Sequence, residues 1–270
     1  MYLSVQGKVI HSSEFRIDPL SESLMYGSGI FETIKFERDE ICFLQDHLER
    51  MRSAAQTLRM ELCFSDEQIE TFLHDLIAAE ALAGGVAKIN LLSNLKENIL
   101  MITTRQNPYT AEQYQNGFRL KISEYRRNER SSLVGIKSNN YLENILEYRK
   151  AKAENFDEAL FLNSKEEIAE CCMSNIFFVR SGVLYTPSDN CGILKGIMRS
   201  KVLTLSNEIG LAVRAGQYGI DDLMNSEEAF LTNSVFEIMP VAHVNQKTFG
   251  RIPGSITAGL RERFDCSVGR

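Results

Sequence analysis

The chain has 270 residues, of which 44% are hydrophobic, 24% charged and 9% aromatic, and its formal net charge is −6. That composition is too apolar for a disordered chain and lacks the basic excess that a nucleic-acid partner would require. No apolar run approaches the roughly 20 residues of a membrane-spanning helix, and residues 1–14 lack the sections of a secretory leader, so a soluble cytoplasmic protein is expected. The length favours two domains over one.

In chain order, residues 2–5 and 8–10 flank Gln6-Gly7 and read as a hairpin. Residues 31–36 favour a strand and lead through the polar stretch 37–40 to a second at 41–44. Leu44, Leu48, Met51, Ala55 and Leu58 then recur at spacings of four and three, which predicts an amphipathic helix. A second helix opens on a capping box, Ser65 with Gln68, carries Ile69, Leu73, Leu76 and Ile77, and stops before Gly84-Gly85. Strands are expected at 86–92 and 99–104. Residues 105–116 carry Pro108 and no periodicity, so 108–116 is read as a linker between a small domain, 1–107, and a larger one, 117–270. Beyond it come a strand at 118–122, a helix near 141–154, and short strands at 158–162, 175–179 and 183–185. A helix at 197–209 stops at Gly210, strands follow at 228–232 and 238–244, and a last helix follows Pro253-Gly254. Helices segregated from mostly antiparallel strands predict an α+β fold.

Several chemistries are excluded early. The six cysteines form no C-x-x-C pair, and the four histidines show no zinc-ligand spacing, so no metal site is expected. Gly27-Ser28-Gly29 is followed by Glu32 where a dinucleotide fingerprint needs its third glycine, and it precedes a strand instead of a helix. There is no Walker A run and no nucleophile elbow.

Five segments carry a stronger signal together. They are Tyr26-Gly-Ser-Gly-Ile-Phe-Glu-Thr-Ile34 with Phe43-Leu-Gln-Asp-His-Leu-Glu-Arg50; Ile136-Lys-Ser-Asn-Asn-Tyr-Leu-Glu-Asn-Ile145; Asp157-Glu-Ala-Leu-Phe-Leu162 with Glu170-Cys-Cys-Met-Ser-Asn-Ile-Phe177; Cys191-Gly-Ile-Leu-Lys-Gly-Ile-Met-Arg199; and Phe230-Leu-Thr-Asn-Ser234 with Met239-Pro-Val241. In this order and spacing the chain resembles the class IV aminotransferases, the fold-type IV enzymes that use pyridoxal phosphate, over nearly its whole length. The resemblance implies a small α+β domain, a larger pseudo-barrel domain with the cofactor between them, and a homodimer acting on a small amino substrate.

The resemblance also implies a role for each matching residue. Lys137 stands where the family holds the cofactor as a Schiff base and later moves a proton. Glu170 matches the carboxylate that keeps the pyridine nitrogen protonated. Gly196, Ile197 and Met198 match a phosphate turn at a helix start, with Met198 in place of the family's threonine. Asn233 and Ser234 match a second phosphate-contacting stretch, and Arg50 the arginine of the His-Leu-x-Arg helix. Leu194 would pack on the ring face, and Tyr141 would lie near the ring's phenolic oxygen.

Within the family, Phe31 stands where the D-amino-acid enzymes carry tyrosine. Residues 93–98 hold neither the arginine of the branched-chain enzymes nor an Arg-x-His carboxylate trap. Thr232-Asn-Ser234, Cys191-Gly-Ile-Leu194 and the compact length look most like the 4-amino-4-deoxychorismate lyases, which release pyruvate and leave 4-aminobenzoate. The alternatives are an aminotransferase for branched-chain or D-amino acids, favoured by Glu237 before Ile238-Met239-Pro240, and a catalytically silent binding protein on the same fold.

Overall fold

Gln6 and Gly7 both adopt left-handed backbone, with φ of 50° and 83°, and this turns β1 (Tyr2–Val5) back onto β2 (Lys8–His11) as the hairpin predicted. The structure is a computed structural model that describes residues 1–38, 40–95 and 97–268. Asp39, in the polar stretch 37–40, and Lys96, in the stretch 93–98 read for a carboxylate trap, lie outside the described residues. The chain divides into two units, Met1–Pro108 with Ile136–Tyr141, and Tyr109–Gly135 with Leu142–Arg270.

In the first unit the hairpin is followed by α1 (Glu22–Tyr26), β3 (Gly29–Glu37), β4 (Glu40–Ile41), α2 (Leu44–Thr57), α3 (Asp66–Glu80), β5 (Gly84–Leu92) and β6 (Ile99–Arg105). The strands form one antiparallel sheet in the order β2-β1-β6-β5-β3-β4. Because side chains alternate along a strand, Ile30, Ile34 and Phe36 of β3 share a face with Ala87, Ile89 and Leu91 of β5. The predicted stripes cover that face: Leu48 and Met51 of α2 and Ile69 and Leu73 of α3 are at most 1% exposed. Each such side chain, fully withdrawn from water, contributes about 1.5–3 kcal/mol. The capping box of α3 forms as predicted, with Gln68 N–H donating to Ser65 Oγ and Ser65 N–H to Gln68 Oε1.

The second unit runs α4 (Ala111–Asn116), β7 (Phe118–Arg127), α5 (Leu142–Ala153), β8 (Glu158–Asn163), β9 (Ile168–Cys171), β10 (Asn175–Arg180), β11 (Val183–Pro187), α6 (Ile197–Glu208), β12 (Val213–Gly216), α7 (Ile220–Met224), β13 (Glu228–Asn233), β14 (Glu237–Val244), β15 (Lys247–Thr248) and α8 (Ser255–Ser267). Its sheet has the order β12-β11-β10-β13-β14-β7-β8-β9, with β15 paired to β14; the β11–β12, β14–β7 and β7–β8 pairs are parallel. The sheet curls until its edge strand β9 comes back against β10 and β11, and Ile168 N–H donates to the carbonyl of Tyr218, just after β12, at 2.7 Å. Phe118, Leu120, Leu160, Phe178, Leu231 and Met239 fill the interior of the curl.

One stretch differs from its reading. Residues 108–116, read as a linker, contain α4, where Gln113 Oε1 accepts the Thr110 N–H at 2.9 Å. Tyr114 of this helix donates its hydroxyl to the Phe236 carbonyl at 3.1 Å, so the segment packs with the second unit. A six-residue helix is too short to show an apolar period, and its cap was its one local signal. No described helix is long and apolar enough to cross a membrane.

Candidate active site

Glu32 lies on the core face of β3 between Ile30 and Ile34 and is 1% exposed. A lone carboxyl group there would be protonated. α2 keeps it ionised, because His47 and Arg50 are three residues apart and project from one side of the helix. Arg50 Nε donates to Oε1 at 2.8 Å and Nη2 to Oε2 at 2.6 Å, while His47 Nδ1 stands 2.6 Å from Oε2. Burial by itself would raise the Glu32 pKa; the Arg50 charge and the hydrogen bonds from Arg50 and His47 outweigh it and hold the carboxyl at about 2. Burial lowers the His47 pKa by more than Glu32 raises it, so the ring is neutral near pH 7 and donates from Nδ1. Its Nε2 is then a buried acceptor with no hydrogen-bond partner among the described residues.

Phe31, one residue earlier, faces the other side of the sheet. The segment 136–141 runs antiparallel along the start of β3: Phe31 N–H donates to the Lys137 carbonyl at 2.9 Å and Asn139 N–H to the Gly29 carbonyl at 2.8 Å. Gly29 permits this approach, since a Cβ would strike the Asn139 side chain and the Leu91 carbonyl. Lys137 Nζ lies 4.5 Å from the Phe31 ring centroid and 5.6 Å from that of Tyr141, and the two rings meet edge to face at 5.4 Å. Tyr141 ends this segment and precedes α5.

Lys88 completes the face. It sits opposite Thr33 on β3 and Thr103 on β6, and its Nζ lies 4.2 Å from the same Phe31 centroid. Burial lowers its pKa and the nearby Arg105 lowers it further. Among the described residues no carboxylate pairs with it.

In the second unit Glu170, the penultimate residue of β9, is 6% exposed, whereas Glu166, three residues on from Asn163, is exposed and pairs with Arg126. Arg127 Nη1 donates to Glu170 Oε1; Asn175 Nδ2 and the Leu194 N–H each donate to Oε2 at 3.0 Å. Arg127 is itself steadied by Asn144 Oδ1 at 3.1 Å and by the Phe161 ring at 4.4 Å. Asn175 Nδ2 also donates to the Leu194 carbonyl at 2.9 Å, which fixes the backbone on both sides of Leu194.

Gly196 is the N-cap of α6, and no side chain caps it. The first N–H groups of this helix are thus left for an outside acceptor, and the dipole there favours an anion. Ile197 and Met198 are buried. A Cβ at Gly196 would meet Asn175 Oδ1, so the helix start packs directly on the Glu170 network. Thr232, opposite Asn175 in the β10–β13 pair, has a buried hydroxyl without a hydrogen-bond partner among the described residues. Asn233 is engaged on the chain itself: its amide donates to the Met173 carbonyl at 3.2 Å and accepts from the Val235 and Phe236 N–H groups at 2.9 Å. It shapes the turn that presents Ser234.

Of the residues singled out in the sequence, Arg50, Lys137 and Tyr141 belong to the first unit, and Glu170, Leu194, Gly196, Ile197, Met198, Asn233 and Ser234 to the second. Sequence reasoning did not single out Glu32, His47, Lys88, Arg127, Asn144 or Asn175. Glu32, His47, Asn144 and Asn175 do lie inside the quoted motifs, and one acidic residue on the buried face of an otherwise apolar strand was the available signal for Glu32.

Residues 29–244 match the amino-transferase class IV family. The chain belongs to that family. It is 27% identical over 270 residues to the aminodeoxychorismate lyase of Bacillus subtilis (strain 168), covering 95% of this chain and 91% of that protein. It is 26% identical over 279 residues to the D-alanine aminotransferase of Listeria monocytogenes serotype 4b (strain F2365), covering 98% and 95%. The solved T.th. branched-chain amino acid aminotransferase with pyridoxamine 5'-phosphate superposes with a TM-score of 0.91 at 26% identity, covering all of this chain and 94% of that one. This class IV chain is therefore an enzyme with the fold the motifs implied, and its relatives include both a lyase and aminotransferases.

Proposed function

We propose that the chain binds pyridoxal phosphate and eliminates pyruvate from 4-amino-4-deoxychorismate, leaving 4-aminobenzoate. The residues suit the cofactor on their own terms. The uncapped α6 start and the Thr232 hydroxyl, which has no hydrogen-bond partner among the described residues, suit a phosphate, and three donors hold the Glu170 carboxylate in place for a ring nitrogen. In this reading Lys137 anchors the cofactor, Glu170 faces its ring nitrogen, and Arg50, the Gly196–Met198 backbone and Ser234 take the phosphate. Leu194 and Tyr141 border the ring. Met198 supplies only its backbone N–H, where a threonine would add a hydroxyl. When bound, the cofactor supplies an electron sink for the charge left as a hydrogen departs from the carbon bearing the amine.

Lys137 Nζ takes that hydrogen as a proton. It returns a proton to the enolpyruvyl methylene as the ether bond to the ring breaks, so that pyruvate leaves and the ring becomes aromatic. Glu170, held by Arg127, Asn175 and the Leu194 N–H, would accept a hydrogen bond from the protonated ring nitrogen.

Lys88 carries the choice of substrate. A half-buried ammonium with no carboxylate partner among the described residues, between two threonines and over Phe31, is poorly suited to an aliphatic side chain, which would strip its water and return no charge. It suits a substrate with a second carboxylate, and 4-amino-4-deoxychorismate has two. The aminotransferase relatives support the other reading, which needs a keto acid to complete its cycle. A homodimer fits the exposed Leu24, Met25 and Tyr26 of α1, and sedimentation tests it.

A coupled pyruvate assay with no added keto acid tests the activity. Pyruvate formed in step with 4-aminobenzoate is expected. Exchange of amino groups between leucine or D-alanine and 2-oxoglutarate, with no pyruvate from the lyase substrate, would replace the lyase reading with the aminotransferase one. Borohydride reduction of the yellow protein should fix the cofactor on Lys137, and a peptide map placing it on another lysine would remove Lys137 from its role.

A further inference from the structure

Glu158, the first residue of β8, is 2% exposed, and no cation pairs with it among the described residues. A buried carboxyl without a counter-ion is costly, and an apolar residue of similar size would stabilise this position better. Its contacts explain its presence. One oxygen accepts the Met173 N–H and the other the Ser174 hydroxyl at 2.6 Å. Both residues lie in the turn at 172–174 that joins β9 to β10. The rest of that turn is tied with equal care. The Cys172 carbonyl accepts from Asn144 Nδ2 at 2.6 Å, the Met173 carbonyl from Asn233 Nδ2 at 3.2 Å, and the Ser174 carbonyl from the Cys171 N–H at 2.8 Å.

The turn stands between two members of the proposed ring-nitrogen site. Glu170 precedes it and Asn175 follows it, and Asn175 is one of the donors that fix the Glu170 carboxylate. Any shift of Met173 and Ser174 is passed to Asn175 through one peptide bond. We propose that Glu158 is a positioning residue for Glu170, holding the turn at 172–174 so that the Asn175 amide and the Glu170 carboxylate keep their places. The inference rests on reading Glu170 as the partner of the ring nitrogen, and it is independent of which substrate the enzyme uses.

The physical state of Glu158 fits a hydrogen-bonding role. Burial, with help from the neighbouring Glu170 and Asp157, pushes its pKa up to about 7 against the pull of Ser174 and the Met173 N–H. Near neutral pH much of it is the uncharged acid, the form that glutamine imitates. Glutamine can still accept from the Met173 N–H and meet the Ser174 hydroxyl, which rotates freely. Leucine can do neither.

The test uses holoenzyme loaded with pyridoxal phosphate labelled with 15N at the ring nitrogen, with the chemical shift of that nitrogen as readout and Glu170→Gln as the reference for a lost partner. Glu158→Gln should keep the wild-type shift, and Glu158→Leu should move it at least half-way to the Glu170→Gln value and release cofactor about tenfold faster on dialysis. A wild-type shift in Glu158→Leu overturns the proposal, as does a Glu158→Gln shift equal to that of Glu158→Leu. If Glu158→Leu does not fold, Ser174→Ala removes one of the two contacts, and an unmoved shift there counts against the proposal. A Glu170→Gln shift identical to wild type would instead refute the role of Glu170. Crystal structures of Glu158→Gln and wild type then decide the positioning alone: Asn175 and Glu170 should superpose, and a displaced turn in Glu158→Gln contradicts it.

Discussion

Glu32 and Arg50 meet edge to edge, with two hydrogen bonds of 2.8 and 2.6 Å joining one guanidinium face to both oxygens of one carboxylate. Arg50 thus has a structural duty besides the phosphate contact proposed for it.

The first prediction follows from that pairing. Lysine cannot reproduce a two-bond fork, so Arg50→Lys should destabilise the first unit, and Arg50→Ala should cost about 3–5 kcal/mol because it strands a buried carboxylate. The pH dependence has a definite sign. A Glu32 pKa of about 2, against the ordinary value of 4.5, contributes stability that is fully present above pH 4.5 and lost as the pH falls through about 2. That contribution is worth roughly 3 kcal/mol. Urea denaturation of wild type and Glu32→Gln at several pH values from 2 to 7 should show the gap between them closing towards the acid end. A constant gap would separate the pairing from stability.

A second prediction concerns Lys88. With a substrate carboxylate as its partner, Lys88→Met should raise KM for 4-amino-4-deoxychorismate roughly ten- to a hundredfold, the equivalent of about 1.5–3 kcal/mol for a charge-assisted hydrogen bond. kcat should change far less. Steady-state kinetics check this, with cofactor retention as a control. Equal KM values in the two proteins would leave Lys88 without a part in substrate choice.

The third prediction concerns Glu158 as a stability element. Its pKa of about 7 lies above the ordinary 4.5, so the folded state holds its proton more tightly than the unfolded chain does. Its contribution is greatest below pH 4.5 and declines as the pH rises through about 7. Glu158→Gln cannot ionise and lacks this decline. The difference in unfolding free energy should move in favour of glutamine by roughly 3 kcal/mol between pH 4 and pH 8. Denaturation at those two values measures it, and parallel profiles would mean that Glu158 titrates normally.

Local patterns made much of the fold legible. The stripe from Leu44 to Ala55 and the Ser65–Gln68 capping box locate α2 and α3, and alternation locates β3 and β5. Short elements are harder to read, because α1, α4 and α7, with at most six residues each, complete too few turns to show a period. The candidate site splits in the same way. Lys137, Glu170 and Gly196 stand in motifs, so a reader of sequence finds them. The Glu32–Arg50 fork joins residues 18 apart, and the Arg127–Glu170 pair joins residues 43 apart. Nothing in either local stretch says which carboxylate an arginine will meet. Lys88 was invisible for the opposite reason: a lysine in a strand is usually solvated, and only the cross-strand register puts it over Phe31.

The route of the chain through 136–141 has a consequence for biosynthesis. The backbone partners of Gly29 and Phe31 in this segment lie more than a hundred residues downstream. At the roughly 5–20 residues per second of translation, the ribosome needs about 1.5–6 s beyond Pro108 to deliver them. A nascent chain therefore waits with the start of β3 paired to β5 on one edge and without its 136–141 partner on the other. A gene split after Pro108 would yield an amino-terminal fragment without its lysine segment. The two units cannot be made one after the other; the first is finished only after the second has begun.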